Sequence, residues 1–197
     1  GDNMYYTGID LGGTNIAVGL VSEEGKIIAK KSVKTNSQRP FKEILKDMAD
    51  CVIDLLKEQN VSLDDVVSIG IGTPGSVDSE HGILVYANNF KEKENIKMRE
   101  IIQSYIDKPV YMTNDANAAA LGEVVAGAAK GYKNVVVITL GTGVGGGVII
   151  NGQLYEGQYS AGAELGHIML IHDGEQCSCG RKGCWEAYAS ATALIRQ

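Results

Sequence analysis

The chain has 197 residues, of which 44% are hydrophobic and 21% charged, with only three prolines; such a composition can bury a core and excludes wholesale disorder. Its formal net charge is -6 and its densest basic stretch is KKSVK from Lys30 to Lys34, so no nucleic-acid or anionic-membrane surface, which would need clustered Lys and Arg, is expected. The opening GDNMYYTGIDLGG lacks the charged and then apolar pattern of a secretory leader, and no apolar run approaches the ~20 residues of a membrane helix, which makes a cytoplasmic location the expectation.

In chain order, the segment from Tyr5 to Val33 is rich in Ile, Val and Tyr and is punctuated at Gly12-Gly13 and Glu24-Gly25, predicting three antiparallel strands joined by tight turns. Pro40 can open a helix in which Phe41, Ile44, Leu45, Met48, Cys51, Val52, Leu55 and Leu56 recur at helical spacing. That stripe puts Cys51 in the core and outside any site. Residues 66–72, VVSIGIG, read as a buried strand entering the loop TPGSVD; residues 94–107 are predicted helical, and PVYMT is a short strand. NDANAAALGEVVAGAAKG predicts an alanine-rich helix ending near Gly131, with side chains small enough for close packing on a sheet. VITLGTGVGGGVII predicts two strands about a glycine turn, Asn151-Gly152 a hairpin turn, and EAYASATALIRQ the start of a helix.

GIDLGGTNIAVGLV and VITLGTGVGGGVII echo one another, with Leu11-Gly12 matching Leu140-Gly141 at an offset of 129. Either hairpin alone is an ordinary glycine turn, but as a pair they suggest two related domains. GTGVGG satisfies G-x-G-x-x-G literally, yet a strand follows where the dinucleotide fingerprint requires a helix, so that reading is rejected. No G-x-x-x-x-G-K-[ST] occurs. Two glycine hairpins remain whose bare backbone N–H groups can approach an anion closely. Asp10 is unusual in an otherwise apolar strand; a hydrated Mg2+ beside a polyphosphate would compensate its charge, and a hydrogen-bonded turn aspartate is the plain alternative.

Three of the four cysteines, Cys177, Cys179 and Cys184, fall within eight positions, shortly after His167 and His172. In a reducing compartment such a cluster favours metal over disulfide, and three thiolates with one imidazole make a closed tetrahedral Zn2+ site with no position left for water. A disulfide or redox pair at Cys177-Ser178-Cys179 is the competing reading. The metal would be structural, fixing the glycine-rich loop DGEQCSCGRKGC, which has little core of its own.

DLGGTN, GTPGSVD, NDANAAALGE, TLGTGVGGGV, GAELGH and CSCGRKGCWEAYAS occur together in the order and at about the spacing of the ROK family (repressors, open reading frames and kinases), and within it the chain most resembles the bacterial glucokinases. The likeness runs from about residue 5 to the end. It implies the actin-like ATPase (ribonuclease H-like) α/β fold in two domains, residues 1–115 and residues 116–197, with the second incomplete because family kinases continue further. It also implies ATP held between two hairpins, Gly12-Gly13-Thr14-Asn15 and Gly141-Thr142-Gly143, with Asp10 facing Mg2+. Asp115 matches the family's catalytic aspartate. It sits where the macrodipole of the alanine-rich helix favours an ionised carboxylate, although Asn114 and Asp115 could by themselves be simple helix caps. Sugar binding would fall to Asn114, Asp115, Glu164, His167 and Glu186 with the backbone around Gly75, groups that accept and donate in pairs. The family's structural zinc site selects His167, rather than His172, with Cys177, Cys179 and Cys184.

The resemblance further implies glucose phosphorylation at the 6-hydroxyl, domain closure that excludes water, and a homodimer. Fructose, mannose and N-acetylmannosamine are alternative substrates, and a non-catalytic sugar-binding module is an alternative role. A repressor of the same family would need a DNA-binding helix pair ahead of DLGG, for which the residues before Asp10 leave no room. YANNFKEKENIKM departs from the family pattern: Asn89-Phe90 is followed by a charged run, read as a solvated face, in place of a compact glycine loop, so a ligand contact from Asn89 is not assigned.

Overall fold

A computed structural model describes residues 4–158 and 162–196. The chain divides into two compact units, Gly1–Asp115 and Ala116–Gln197. Among the described residues no helix is long and apolar enough to cross a membrane.

In the first unit the opening segment forms β1 (Tyr5–Leu11), β2 (Asn15–Ser22) and β3 (Ile27–Lys34). They join β4 (Val66–Thr73) and β8 (Val110–Asn114) in one sheet of order β3-β2-β1-β4-β8. The hairpin strands pair antiparallel, whereas β1–β4 and β4–β8 are parallel. Alternation explains the burial: Ile9 and Leu11 on β1, with Ile16, Val18 and Leu20 on β2, point into the core while their neighbours face out. Helix α1 (Phe41–Glu58) follows Pro40, whose fixed φ suits the residue ahead of a first turn. Its buried stripe of Phe41, Ile44, Leu45, Met48, Cys51, Val52, Leu55 and Leu56 joins the same cluster as the sheet.

Sequence periodicity misses a second, smaller sheet in this unit. β5 (Ser76–Asp78), β6 (Ile83–Tyr86) and β7 (Glu94–Ile96) pair antiparallel in that order. Residues 94–107 are therefore not one helix: β7 comes first, with Asn95 at φ 55, and helix α2 (Met98–Gln103) is short. The charged run is solvated as expected, but Phe90 ahead of it is buried and meets Phe41 edge to face, ring centroids 4.8 Å apart. Such a pair contributes about 0.5–1.5 kcal/mol beyond its area.

In the second unit, β9 (Val135–Leu140), β10 (Val144–Ile150) and β11 (Gln153–Leu154) form a sheet of order β11-β10-β9. The turn between β10 and β11 has Asn151 and Gly152 both at positive φ (54° and 80°), the requirement of a type I′ hairpin. Helix α3 (Asp115–Ala126) stops short of Gly131. Glu123 ends it: its carbonyl accepts from the amides of Gly127 (3.0 Å) and Ala129 (3.1 Å), and its carboxylate from Ala128 (2.8 Å), the multiple closure typical of a helix C-terminus.

The glycines of β10 let this helix approach the strand. A Cβ on Gly145 would lie 3.0 Å from that of Ala116, and one on Gly147 would overlap Ala120. On the other face a Cβ on Gly146 would meet Leu165 Cγ at 2.7 Å. The last segment is likewise two helices, α4 (Glu186–Ala189) and α5 (Ala191–Arg196). Ser190 breaks them with an extended ψ of 160° and then caps α5, its hydroxyl accepting from Ala193 N–H at 3.1 Å. Apolar support near the cysteines is slight: Cys177, Cys184 and Ala187 with Tyr188.

Candidate active site and metal centre

In the first unit, the turn between β1 and β2 closes through Gly12 N–H to Asn15 C=O at 2.9 Å. Thr35, fully buried just past β3, holds it from beneath: its amide donates to Thr14 C=O (2.9 Å) and its hydroxyl to Gly12 C=O (2.7 Å). With the carbonyls tied down, the amides of Gly13 and Thr14 have no protein partner among the described residues, an arrangement suited to an anion. Asn89, unassigned from sequence, stands beside this turn: a Cβ on Gly13 would touch its Cβ and Nδ2 at 3.5 Å. Asp10, near the end of β1, pairs in register with Ala17 and Gly72 and has an accessible side chain. Partial desolvation raises its carboxyl pKa above the ordinary value, which a nearby cation would reverse.

At the end of β8, Asn114 lies in register with Thr73 on β4, and its side-chain amide donates to Gly75 C=O at 3.0 Å. Gly75 has φ 92 and a Cβ there would overlap Tyr86 C=O, so the loop after β4 needs glycine at this point. Asn114 and Gly75, both candidate sugar contacts, are thus in direct contact, and Asp115 follows as the exposed first residue of α3.

In the second unit, the turn Gly141–Gly143 joins β9 and β10, with Gly141 N–H bonded to Gly143 C=O at 3.0 Å. Gly141 C=O accepts from Ala191 N–H and Thr142 C=O from the Thr192 hydroxyl, both at 2.8 Å. The amides of Thr142 and Gly143 have no protein partner among the described residues. Both glycine turns therefore offer a pair of N–H groups and anchor their carbonyls.

His167, Cys177, Cys179 and Cys184 come together with all four ligand atoms within 4.8 Å of one another. Cys179 and Cys184 sulfurs are 3.6 Å apart, as are His167 Nδ1 and Cys177 Sγ. A disulfide needs about 2.05 Å. Sulfurs at about 2.3 Å from one tetrahedral ion lie roughly 3.8 Å apart, so the donor set fits zinc. Desolvation opposes ionisation of Cys179, but hydrogen bonds from the Arg181 backbone and guanidinium and from the other two thiols prevail and lower it to about 6. Desolvation and the thiols of Cys179 and Cys177 raise the pKa of Cys184 to about 11. Arg181 also donates to His167 C=O at 2.9 Å. His172 is exposed and beside Asp173, outside the cluster.

Glu164 is exposed, and its carbonyl accepts from His167 N–H at 3.1 Å. Gly166 passes against Val144 C=O with no room for a Cβ. Glu186, half-buried, has one carboxylate oxygen accepting from Val144 N–H and the other from the Ser178 hydroxyl, both at 3.0 Å. Thr35, Ser178, Arg181 and Thr192 all serve these sites, and sequence reading missed each: their partners are backbone atoms or distant side chains that no spacing reveals.

The chain belongs to the ROK family, which matches residues 6–197. It is 41% identical over 189 residues to a glucokinase from Thermotoga maritima, covering 96% of this chain and 58% of that protein. It is 38% identical over 194 residues to a xylose repressor from Bacillus subtilis, covering 98% of this chain and 49% of that one. A solved ROK family glucokinase from Streptomyces griseus, in complex with glucose and AMPPNP, superposes with a TM-score of 0.80 at 38% identity, over 98% of this chain and 59% of that chain. The fold is the expected actin-like α/β ATPase fold. The chain spans well under two thirds of these relatives' lengths.

Proposed function

We propose that the chain is the part of an ATP-dependent glucokinase that carries the catalytic aspartate, both phosphate-clamping turns and a structural zinc site. The contact between Asn114 and Gly75 carries this reading. It ties the end of the strand just before Asp115 to the glycine loop that follows the neighbouring strand, which makes a rigid, polar corner for a hydroxyl-rich ligand. Glucose and AMPPNP in the S. griseus relative support both ligand assignments.

In the proposed reaction Asp115 accepts the proton of the sugar 6-hydroxyl as that oxygen attacks the γ-phosphorus; the O6–P bond forms, the bond to the β-phosphate oxygen breaks, and ADP leaves. General-base help of this kind is worth about 10^2 to 10^4 in rate. The free amides of Gly13, Thr14, Thr142 and Gly143 would hold phosphate oxygens, with Asp10 toward Mg2+, whose charge offsets that of the phosphates. Asn114, Glu164, His167 and Glu186 would orient the sugar. His167, Cys177, Cys179 and Cys184 would hold zinc, which would supply folding energy and take no part in the transfer.

The test is calorimetric titration of glucose into the zinc-loaded chain, with fructose and N-acetylmannosamine as comparisons, followed by Asp115→Asn in the complete enzyme. Glucose-selective binding, and sugar binding retained in Asp115→Asn with turnover lost by 10^2-fold or more, are the expected results; normal turnover removes Asp115 from the mechanism. The B. subtilis xylose repressor favours a second reading, a sugar-responsive protein without transfer. Binding with no phosphorylated product from the complete protein would establish it.

A further inference from the structure

Glu186 bridges two structures that sequence reading treats separately. One oxygen holds Val144 N–H at the end of the second glycine turn, the other holds the Ser178 hydroxyl between two cysteines of the cluster. A side chain on Gly143 would collide with the carboxylate, so the turn and the acid are in contact. The residues after Glu186 continue the support: Ala191 and Thr192 hold the carbonyls of Gly141 and Thr142. The turn itself has two glycines and one threonine, with little stiffness of its own. A carboxylate beside an anion-binding turn also works against anion affinity, and a geometric role would compensate for that.

Resting on the reading of this turn as a phosphate clamp, we propose that Glu186 is a positioning residue through which the Cys3His cluster sets the conformation of Gly141–Val144, so that metal occupancy and nucleotide affinity are coupled. Cys184 lies two residues before Glu186 and is buried, with Trp185 N–H bonded to Ile168 C=O at 2.9 Å. Fixing Cys184 therefore fixes the start of α4, from which the carboxylate reaches Val144. A preorganised amide pair is what anion stabilisation needs. Glu186 thereby consumes the Val144 amide, leaving those of Thr142 and Gly143 as the donors of this turn.

The test is hydrogen exchange at the two bonded amides of the turn, Gly141 and Val144, in the zinc-loaded 197-residue chain, with strand residues Ile69–Ile71 as an internal control and zinc content measured on each sample. Glu186→Ala is expected to speed exchange at the turn about tenfold or more, the loss of a charge-assisted bond, with zinc retained and the control unchanged. Glu186→Gln, whose amide can still accept from Val144 and donate to Ser178, is expected to restore most of the protection. Ser178→Ala, an exposed and milder change, should speed exchange a few fold, and removing zinc with a chelator should do at least as much. Turn protection in Glu186→Ala and Ser178→Ala within twofold of the parent chain would overturn the coupling. Because exchange is read without nucleotide, a turn that loosens as expected, in a protein whose complete form never binds AMPPNP, would retain the brace and reject the phosphate-clamp reading instead.

Discussion

Thr35→Val is a nearly isosteric change that removes a hydroxyl gripping the first glycine turn. In the parent chain that hydroxyl, at 0% exposure, donates to Gly12 C=O at 2.7 Å, while the Thr35 amide independently holds Thr14 C=O. Valine keeps the backbone bond and the packing volume, so the loss is confined to one part-buried bond. A net hydrogen bond is worth about 0.5–1.5 kcal/mol, and leaving a half-buried acceptor unsatisfied adds toward the low end of the about 1–3 kcal/mol that a fully buried one costs. The expected destabilisation is therefore about 2 kcal/mol. For a unit near 100 residues this is a fall in Tm of roughly 8–16 °C, read by calorimetry or circular dichroism at neutral pH with zinc present. The same variant should weaken AMPPNP binding, because the Gly13 and Thr14 amides lose their fixed aim, while glucose affinity is unaltered. A Tm within 2 °C of the parent would refute the reasoning, since it would mean that Gly12 C=O finds water as readily as it finds Thr35.

Chelation of the metal should melt the loop Gly174–Cys184 while leaving the first unit folded: its apolar support is confined to Cys177, Cys184, Ala187 and Tyr188, against an ordering cost of about 1–2 kcal/mol per residue, and exchange mass spectrometry would show protection lost there first. Gly75→Ala should abolish the Asn114 contact, since φ is 92 and the new methyl would overlap Tyr86 C=O; glucose binding measured by calorimetry should fall at least tenfold. Cys51 should resist thiol reagents until unfolding, because burial raises its pKa and the thiolate is the reactive form. That shift stabilises the fold below the unfolded thiol value of about 8.5 and the benefit disappears as pH rises through the folded one, so Cys51→Ala should flatten the alkaline limb of a denaturation profile.

The features read correctly from sequence are those with a sustained period. The apolar stripe of α1 and the alternation of β1 and β2 each repeat several times, so pattern alone fixes both element and buried face. Short elements defeat that method: β7 has three residues, two of them exposed, and its strand character comes from pairing with β6. The end of α3 depends on how Glu123 folds back, and the break at Ser190 on a hydroxyl reaching three residues ahead, neither of which has a period. For the metal cluster, residue type and spacing mark the three cysteines, because ligand chemistry is restrictive, but the choice of His167 over His172 comes from the family resemblance. The partners of Glu186 were out of reach, since Val144 is 42 residues away and meets it only through the fold.

The bare backbone of β10 has a consequence for how this protein can vary. Gly145 and Gly147 admit Ala116 and Ala120 on one face, Gly146 admits Leu165 on the other, and neither side keeps a spare methyl to trade. Loss of the Ala120 methyl alone would not admit one on Gly147, which would still lie 2.9 Å from the Ala116 carbonyl, so this strand position should stay glycine. In an evolving lineage such positions would stay still, while the loops around them diversify freely.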